Sequence, residues 1–313
     1  MQSAKAFAPA NLSCIFVIRK TKNPAKSGSL GMGFTVNKGA LVAIKKIKYN
    51  NKKFNKININ NKTEKKLKSN IINKNYKKNK NITNQKNIIY FNNKEINFPT
   101  VDSVIEKLTN EPVEVKIKTE LPLGCGFGLS GASALATAYA LNKLFNLKKS
   151  RKDLAMAAHI AEVENATGLG DVVNQYYGGF LIKYDSSYKF KIKKMPINNK
   201  KIYCRYFSGI STKKVISNEK IKNKINNSGL SSLNKIKKLN KNNLNLNNLI
   251  KISKEFAVNS GLLKNKKVIG TIKNIEKNNG NASMIMLGNS VFSDKYFKGS
   301  EELIIKNKGA CLC

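Results

Sequence analysis

Acidic side chains are scarce in this chain, and three of them lie close together in the sequence. The 313 residues include 18 acidic residues, yet Glu162, Glu164 and Asp171 fall within ten positions of one another. Transfer of a phosphoryl group needs a carboxylate that holds Mg²⁺ and often a second one that orients or deprotonates the attacking hydroxyl. This cluster could supply both carboxylates. The alternative is that the glutamates are solvated helix-surface residues and that Asp171 is a helix N-cap.

A glycine-rich turn precedes these acids and could bind phosphate. Residues 121–133 read LPLGCGFGLSGAS and join a predicted strand to a predicted helix. In this setting backbone N–H groups and the positive end of the helix hold anions, and glycine lets the chain close around them. No Gly-Lys-Ser/Thr occurs in the turn, which excludes a Walker A loop.

Two other interpretations of this turn remain. Gly126, Gly128 and Gly131 fit the G-x-G-x-x-G pattern of a dinucleotide site. That site is disfavoured because one helix is followed by another, where a Rossmann unit needs a strand that ends in an acidic residue. The second alternative is a tight turn that serves packing alone.

The charge of the chain bears on its partners. The formal net charge is +40, from 58 basic and 18 acidic residues, but Arg19, Arg151 and Arg205 are the only arginines. Readers of nucleic acid favour arginine, whose planar fork lysine cannot copy. We therefore interpret the excess of lysine and asparagine as a codon bias. We expect no specific nucleic-acid binding, although non-specific binding at low salt is expected.

Cysteine, histidine and apolar residues exclude further classes. The five cysteines show neither a C-x-x-C pair nor zinc-like spacing, which is typical of unpaired thiols in a reducing cytosol. A single histidine, His159, excludes multi-histidine metal sites, and it is more typical of a packed helix residue. No signal peptide and no run of about 20 apolar residues is present, so we expect a cytoplasmic protein that does not bind membranes.

The elements that must position the turn and the acids follow from the residue pattern. From about 45 to 93 the chain is rich in lysine and asparagine, and we expect an exposed ribbon with short strands such as 57–60 and 88–91. Elsewhere the pattern predicts strands at 4–18, 113–117, 180–184 and 201–207, helices at 101–108, 132–147, 153–164 and 171–178, and a mostly helical stretch at 221–263. These elements predict an α+β protein whose second half is a smaller α+β domain.

Several segments resemble a known superfamily. Residues 122–134 resemble the second motif of the GHMP kinases, P-x-G-x-G-L-G-S-S-A, and their G-F-G-x-S-G-A form is similar to that of archaeal pantoate kinases. Residues 158–173, with T-G-L-G-D-V at 167–172, also resemble pantoate kinases. The resemblance spans the chain in order, with gaps at the Lys/Asn tracts, and is strongest between 121 and 180.

The resemblance implies a fold and a nucleotide site. It implies a two-domain GHMP kinase fold, with a ribosomal-S5-domain-2-like α/β domain at 1–190, an insertion near 45–95, and a ferredoxin-like α+β domain at 191–313. It also implies that Glu162 and Ser130 bind Mg²⁺, with Ser133 as a second candidate, and that Asp171 is the catalytic base. The residues implied to bind ATP are Pro122, Gly124, Gly126, Gly128, Ser130, Gly131, Ala132 and Ser133.

The ends of the chain resemble the remaining motifs. Residues 7–16 resemble the first motif, but Asn11-Leu12-Ser13 stands where pantoate kinases carry His-Ile-Thr and where mevalonate-type kinases have a lysine at the Asn11 position. Asn11 and Ser13 are the implied acceptor ligands there. Residues 27–33 resemble a G-S-x-G-x-G segment in which Ser29 and Gly31 would hold the acceptor, with a surface turn as the alternative. Residues 280–292 resemble the third motif, which is expected to close over the site.

The function implied by the resemblance is ATP-dependent phosphorylation of pantoate to 4-phosphopantoate in archaeal coenzyme A biosynthesis, with a homodimer left open. The alternatives are another GHMP kinase that acts on homoserine, mevalonate or shikimate, a GHMP-fold protein without kinase activity, and a basic nucleic-acid-binding protein.

Overall fold

The structure, a computed structural model, describes residues 2–47, 86–240 and 242–313. The predicted strand at 57–60 and most of the Lys/Asn-rich stretch lie outside these residues. The described strands are β1 Ser3–Arg19, β2 Gly28–Lys46, β3 Ile88–Phe91, β4 Lys94–Glu95, β5 Val113–Lys118, β6 Phe180–Lys183, β7 Lys193–Met195, β8 Lys201–Gly209, β9 Ala282–Ile285, β10 Gly288–Ser293, β11 Glu301–Ile304 and β12 Cys311–Leu312. The described α-helices are α1 Pro99–Leu108, α2 Leu129–Phe145, α3 Arg151–Glu164, α4 Asp171–Tyr177, α5 Thr212–Ser217, α6 Glu219–Lys238, α7 Leu246–Asn259 and α8 Lys266–Lys277.

A long antiparallel pair, β1 and β2, forms the centre of the first sheet. The sheet runs in the order β12-β1-β2-β5-β3-β4, and β6 and β7 extend it from the side of β2. The pairing of β1 with β2 shifts register twice, between Pro9 and Asn11 and between Ser13 and Ile15. Such irregularities re-aim side chains, and here they fall at the two polar residues of the first motif.

Four helices pack against this sheet, and α2 is the most enclosed of them. Thirteen of its residues are buried, because it contacts β1, β2, α1 and α3 on different sides. An alanine-rich helix suits this position, since small side chains let several elements approach closely. The helix begins at Leu129, three residues earlier than predicted, because Gly128 adopts a left-handed conformation with φ of 60° and ends the preceding turn.

The second sheet is antiparallel and takes its strands from residues after 200. Its order is β11-β8-β10-β9, and α7 and α8 pack on β9. The predicted helical stretch at 221–263 is two helices, α6 and α7, which pack on each other and on β1. Aromatic contacts join the two sheets: the Phe34 and Phe292 ring centroids lie 5.5 Å apart. The end of the chain returns to the first sheet as β12, where Phe7 pairs with Cys311.

The predicted α+β class and the predicted order of elements are confirmed by this architecture. The domain limits, 1–190 and 191–313, stay a prediction. Among the described residues, no helix is long and apolar enough to cross a bilayer.

Candidate active site

A cavity of about 340 Å³ lies where the turn after β5, the junction of α3 and α4, and the central strands meet. Its wall contains the acids and part of the glycine turn. Of the residues predicted from the sequence, it includes Ser13, Ser29, Gly124, Gly126, Gly128, Ser130, Glu162 and Asp171. Asn11, Gly31, Pro122, Gly131, Ala132 and Ser133 are not part of the wall.

The glycine turn owes its shape to backbone conformations that side chains disfavour. Gly124, Gly126 and Gly128 have φ of 80°, 91° and 60°, in or near the left-handed region that glycine adopts at little cost. A Cβ at Gly126 would also lie 2.9 Å from Ile285. Since Gly128 offers no side chain to cap α2, the first N–H groups of that helix are available to an anion.

Glu162 is a buried acid without a partner. It lies on α3 and is 1% exposed, and neither carboxylate oxygen makes a hydrogen bond with a residue that the structure describes. Glycine makes room for it, because a Cβ at Gly168 or Gly131 would lie 2.5 Å or 2.8 Å from Oε2. Burial, together with repulsion from Asp171, raises the pKa of Glu162 well above its usual range, although nearby hydroxyl groups and Lys183 act in the opposite direction.

The surface interpretation of the two glutamates is therefore wrong for Glu162 and correct for Glu164. Glu164 is exposed and forms an ion pair of 2.7 Å with Lys107. The two side chains lie two positions apart on one helix and so point in different directions. An unpartnered buried carboxylate is costly, which indicates a ligand that compensates it.

Asp171 is the first residue of α4, and the N-cap of this helix is Gly170. The interpretation of Asp171 as the N-cap is therefore wrong. Its Oδ1 accepts hydrogen bonds from Asn11 Nδ2 at 2.6 Å and from Ser13 Oγ at 3.1 Å. Part of its surface opens into the cavity, yet the surrounding protein desolvates the carboxylate and raises its pKa, while Lys183 opposes that rise. Oδ2 takes no hydrogen bond from the described residues and can accept one from a ligand hydroxyl.

Lys183 is a cavity-lining charged residue that the sequence analysis did not single out. It ends β6, is buried, and donates from Nζ to the Gly170 carbonyl at 2.8 Å and to Asn174 Oδ1 at 3.1 Å. Burial lowers the pKa of Lys183 to about 8, although Asp171 and Glu162 act in the opposite direction. A lysine at the end of the apolar run Phe-Leu-Ile was the available signal, but 58 basic residues conceal one lysine.

The end of the cavity that contains Ser29, which the sequence predicts to hold the acceptor, is the acceptor end. It combines Lys183 with Ser29 and an apolar wall. A Cβ on Gly170 would collide with Ser29 Oγ and lie 2.8 Å from Lys183 Nζ, so the hydroxyl and the ammonium are neighbours. The apolar wall consists of Ile15, Phe16, Leu30 and Met32.

Gly31 and His159 support this end from behind the wall. A Cβ at Gly31 would collide with the Ile15 carbonyl, so glycine is required for β2 to lie against β1. His159 is buried, and its Nε2–H donates to the Ser27 carbonyl at 3.0 Å. Burial lowers the pKa of His159, which keeps the ring neutral. The histidine therefore anchors the segment that carries Ser29, in keeping with the predicted packing role.

The two serines of the glycine turn lie in different surroundings. Ser130 lines the cavity, and its Oγ donates to Thr100 Oγ1 at 3.2 Å. Ser133 is buried behind the wall, and its Oγ has no partner among the described residues.

A divalent cation fits the oxygen ligands that Glu162 and Ser130 offer at the glycine-turn end of the cavity. Glu162 supplies carboxylate oxygens that lack other partners, and Ser130 supplies a hydroxyl. Mg²⁺ prefers oxygen ligands and is commonly held by one or two carboxylates together with substrate phosphates. The described residues hold no cluster of three or more His, Cys, Asp or Glu side chains, so bound phosphate would have to complete the coordination.

The segment predicted to be the third motif lies against the glycine turn. Met286 and Leu287 line the cavity, and Ser290 Oγ donates to the Cys125 carbonyl at 2.8 Å. The Met286 N–H donates to the Ser13 carbonyl at 3.0 Å. The turn between β9 and β10 thus contacts the glycine turn and the first motif.

Comparison with known proteins gives consistent results. Residues 97–179 match the family model of the GHMP kinases N terminal domain. The chain is 31% identical to a pantoate kinase of Methanocaldococcus jannaschii over 97% of this chain and 98% of the relative. It is 27% identical to a pantoate kinase of Thermococcus kodakarensis over 92% of this chain and 86% of the relative. A solved structure, described as a phosphotransferase related to CoA biosynthesis pathway, superposes with a TM-score of 0.76 at 21% identity, covering 99% of this chain and 98% of the other.

Proposed function

This chain belongs to the GHMP kinases, within the family of the pantoate kinases, and on that basis we propose that it transfers the γ-phosphoryl group of ATP to the C4 hydroxyl of pantoate, which gives 4-phosphopantoate. The GHMP kinase fold that the sequence predicts is confirmed. GHMP kinases use ATP as the phosphoryl donor.

The glycine turn and α2 bind the triphosphate in this proposal. The left-handed glycines Gly124, Gly126 and Gly128 curve the chain, and the uncapped N-terminus of α2 offers N–H groups and the positive end of its dipole to the phosphates. Glu162 and Ser130 hold Mg²⁺. The ion would neutralise charge that develops on the phosphates during transfer.

The acceptor end suits a molecule with a carboxylate and an apolar body. Lys183 donates to two protein oxygens, so one N–H of its ammonium group stays free for an anion. Pantoate carries a carboxylate and, beside its reacting hydroxyl, a carbon with two methyl groups. We assign the carboxylate to Lys183 and Ser29, and the methyl groups to the apolar wall of Ile15, Phe16, Leu30 and Met32.

Homoserine fits this end less well than pantoate does. It carries an ammonium group, which requires an acidic or carbonyl partner. Glu162 and Asp171 are the acids among the described lining residues, and both have other roles in this proposal. Lys183 at this end would repel an ammonium group, so the site favours an acceptor without a positive charge.

The chemistry asked of the protein is mostly positioning. Asn11 and Ser13 donate to Oδ1 of Asp171, which leaves Oδ2 to accept the acceptor hydroxyl and align its oxygen with the γ-phosphorus. A raised pKa makes Asp171 a better proton acceptor, since a carboxylate with a very low pKa binds protons weakly. The proton of the hydroxyl passes to this carboxylate as the new P–O bond forms and the bond to ADP breaks.

One observation carries the proposal: a buried, unpartnered Glu162 and a partly open Asp171 lie with Lys183 around one cavity that is bounded by the glycine turn. The test is ADP release with Mg-ATP against pantoate, homoserine, mevalonate and shikimate. We expect kcat/KM for pantoate to exceed that for each of the others. A preference for another acceptor would reassign the substrate, and no ADP release with any of them would overturn the kinase proposal.

A further inference from the structure

Asn174 lies between the two charged groups of the acceptor end. It is on α4, one turn after Asp171, and is 1% exposed. Its Nδ2 donates to Asn11 Oδ1 at 2.8 Å, and its Oδ1 accepts from Lys183 Nζ at 3.1 Å. The sequence analysis assigned it no role.

The chemistry of the partners fixes the direction of every hydrogen bond in this chain of groups. An ammonium group has only donors, so the amide oxygen of Asn174 must face Lys183 and its NH₂ group must face Asn11. Asn11 must therefore turn its own oxygen toward Asn174 and its NH₂ group toward Asp171, where the distance from Nδ2 to Oδ1 is 2.6 Å. Each donor thus points along the path from Lys183 to Asp171.

The surroundings leave little room for another arrangement. Asn11 and Asn174 are both buried, so water is not at hand to replace a lost partner. A Cβ at Gly33 would lie 2.9 Å from Asn174 Nδ2 and 3.4 Å from Asn11 Oδ1, so glycine lets the two amides meet. A reversed Asn11 amide would place an oxygen against the Asp171 carboxylate, which is repulsive.

We propose that Asn174 is a positioning residue that connects the cation of the acceptor site to the catalytic carboxylate, by fixing the direction in which Asn11 presents its NH₂ group to Asp171. This inference rests on the proposed function, because Asp171 and Lys183 take their roles from it. Asn174 is among the cavity-lining residues, but its amide oxygen and NH₂ group are engaged by Lys183 and Asn11. It acts through Asn11, whose amide keeps Asp171 oriented without placing a full positive charge beside it.

The variant Asn174→Asp tests this direction with almost no change in volume. The new carboxylate still accepts from Lys183 but cannot donate to Asn11. The Asn11 oxygen then faces a carboxylate in either orientation of the amide, so the amide no longer holds its NH₂ group fixed toward Asp171. We expect kcat to fall by about 100-fold, the size typical of a misplaced reacting group. The dissociation constant for ATP should stay within about threefold, because the glycine turn is unchanged. Asn278→Asp is the matched control, since Asn278 is an exposed asparagine at the end of α8 that donates to the Asn274 carbonyl.

A double-mutant cycle with Asn11→Ala separates this role from a general effect of the new negative charge. When the Asn11 amide is already absent, Asn174→Asp has no amide to misorient, and we expect it to change kcat by less than about threefold. A loss of about 100-fold in both backgrounds would overturn the proposal, as would an Asn174→Asp variant with normal kcat.

Folding and substrate are checked separately. ATP affinity and thermal unfolding report whether each variant folds, and Asn174→Ser, whose hydroxyl can both accept and donate, replaces Asn174→Asp if the latter does not. With Asn174→Ser we expect a smaller loss of kcat, about tenfold, that again disappears in the Asn11→Ala background. An equal loss in both backgrounds would count against the proposal. If the unaltered protein releases no ADP with any acceptor, the proposed function and this inference fall together. If the unaltered protein is active but the loss of kcat is equal in both backgrounds, the proposed function stands and only this inference is contradicted.

Discussion

The two ends of the cavity are built in different ways. The nucleotide end consists mainly of one continuous turn, Gly124 to Ser130, joined by Glu162 from α3. The acceptor end consists of side chains from four elements: Asn11 and Ser13 on β1, Ser29 on β2, Asp171 and Asn174 on α4, and Lys183 on β6. One end binds with backbone groups and the other with a network of side chains.

This difference predicts at which end of the cavity a single substitution has the larger effect. Backbone N–H groups are the same whatever the side chain, so the nucleotide end depends on the conformation of the chain. A side-chain network depends on the donor and acceptor character of each member, and losing one member leaves its buried partners unsatisfied. We therefore expect single substitutions to act most strongly at the acceptor end, and five predictions test this contrast.

The largest effect is expected for Asp171→Asn. The amide cannot accept the proton of the hydroxyl, so kcat should fall by about 1,000-fold, within the range for loss of a general base. ATP affinity, measured by calorimetry, should change little. Asp185→Asn is the control, since Asp185 lies in an exposed pair with Lys189. Unchanged turnover in Asp171→Asn would remove the proposed role.

Glu162→Gln should separate metal binding from stability. With ATP present, the affinity for Mn²⁺, measured by paramagnetic resonance, should fall by about tenfold or more because one charged ligand is lost. Without ligands the variant should be more stable at neutral pH than the unaltered protein, because a buried charge without a partner has been removed. Glu164→Gln, on the exposed side of the same helix, should show neither change.

The pH dependence of stability follows from the same residue. Because the folded protein raises the pKa of Glu162 above its ordinary value of 4.5, the folded state binds more protons than the unfolded state above that pH. The contribution of Glu162 to stability is therefore complete at low pH and is lost as pH rises. In urea unfolding between pH 5 and 7.5, Glu162→Gln should lack this loss. An equal decline in both proteins would contradict the assignment.

Lys183→Met should act on the acceptor rather than on the nucleotide. We expect KM for pantoate to rise by about tenfold, as for loss of a charged hydrogen bond, with KM for ATP nearly unchanged. Burial lowers the pKa of Lys183 to about 8, so its charge is lost as pH rises through that value. The kcat/KM for pantoate should accordingly fall above about pH 8 in the unaltered protein. The exposed Lys193→Met is the control, and an equal rise in both KM values would argue against a carboxylate-binding lysine.

The smallest effects should distinguish the two serines of the nucleotide end. Ser130 lines the cavity, and Ser130→Ala should lower kcat by about tenfold through loss of a metal-oriented hydroxyl. Ser133 lies behind the wall without a partner, so Ser133→Ala should change kcat by less than about twofold and should not destabilise the fold. Similar losses of kcat in both variants would mean that the wall shifts when nucleotide binds.

In the sequence, the proposed nucleotide end carries more local signals than the acceptor end does. The glycines of the turn and the helix that follows are adjacent in the chain, and their spacing alone indicates an anion site. For the acceptor end the first motif marked Asn11 and Ser13, whereas Lys183 and Asn174 carried no local signal. Lys183 was hidden among many lysines, and Asn174 lies in the predicted short helix 171–178 without a feature that distinguishes it from a surface asparagine.

Local propensity also left open questions that packing answered. Glu162 and Glu164 have the same chemistry and nearly the same position, yet one is buried against Gly131 and Gly168 and the other pairs with Lys107 at the surface. Ser130 and Ser133 present the same ambiguity. In both cases the answer depends on which neighbour each face of the helix meets.

Residue pattern and spacing were enough to predict the α+β class, the order of the elements, the glycine turn and the acids near it. These features depend on local propensity and on position along the chain. Only the fold shows that Asn11 meets Asp171 and Asn174, which lie 160 and 163 positions further along the chain, and that Asn174 in turn meets Lys183. Burial then decided their charges and hydrogen-bond directions. Desolvation and donor–acceptor matching depend on all the neighbours of a group at once, and those neighbours are known only when the chain has folded.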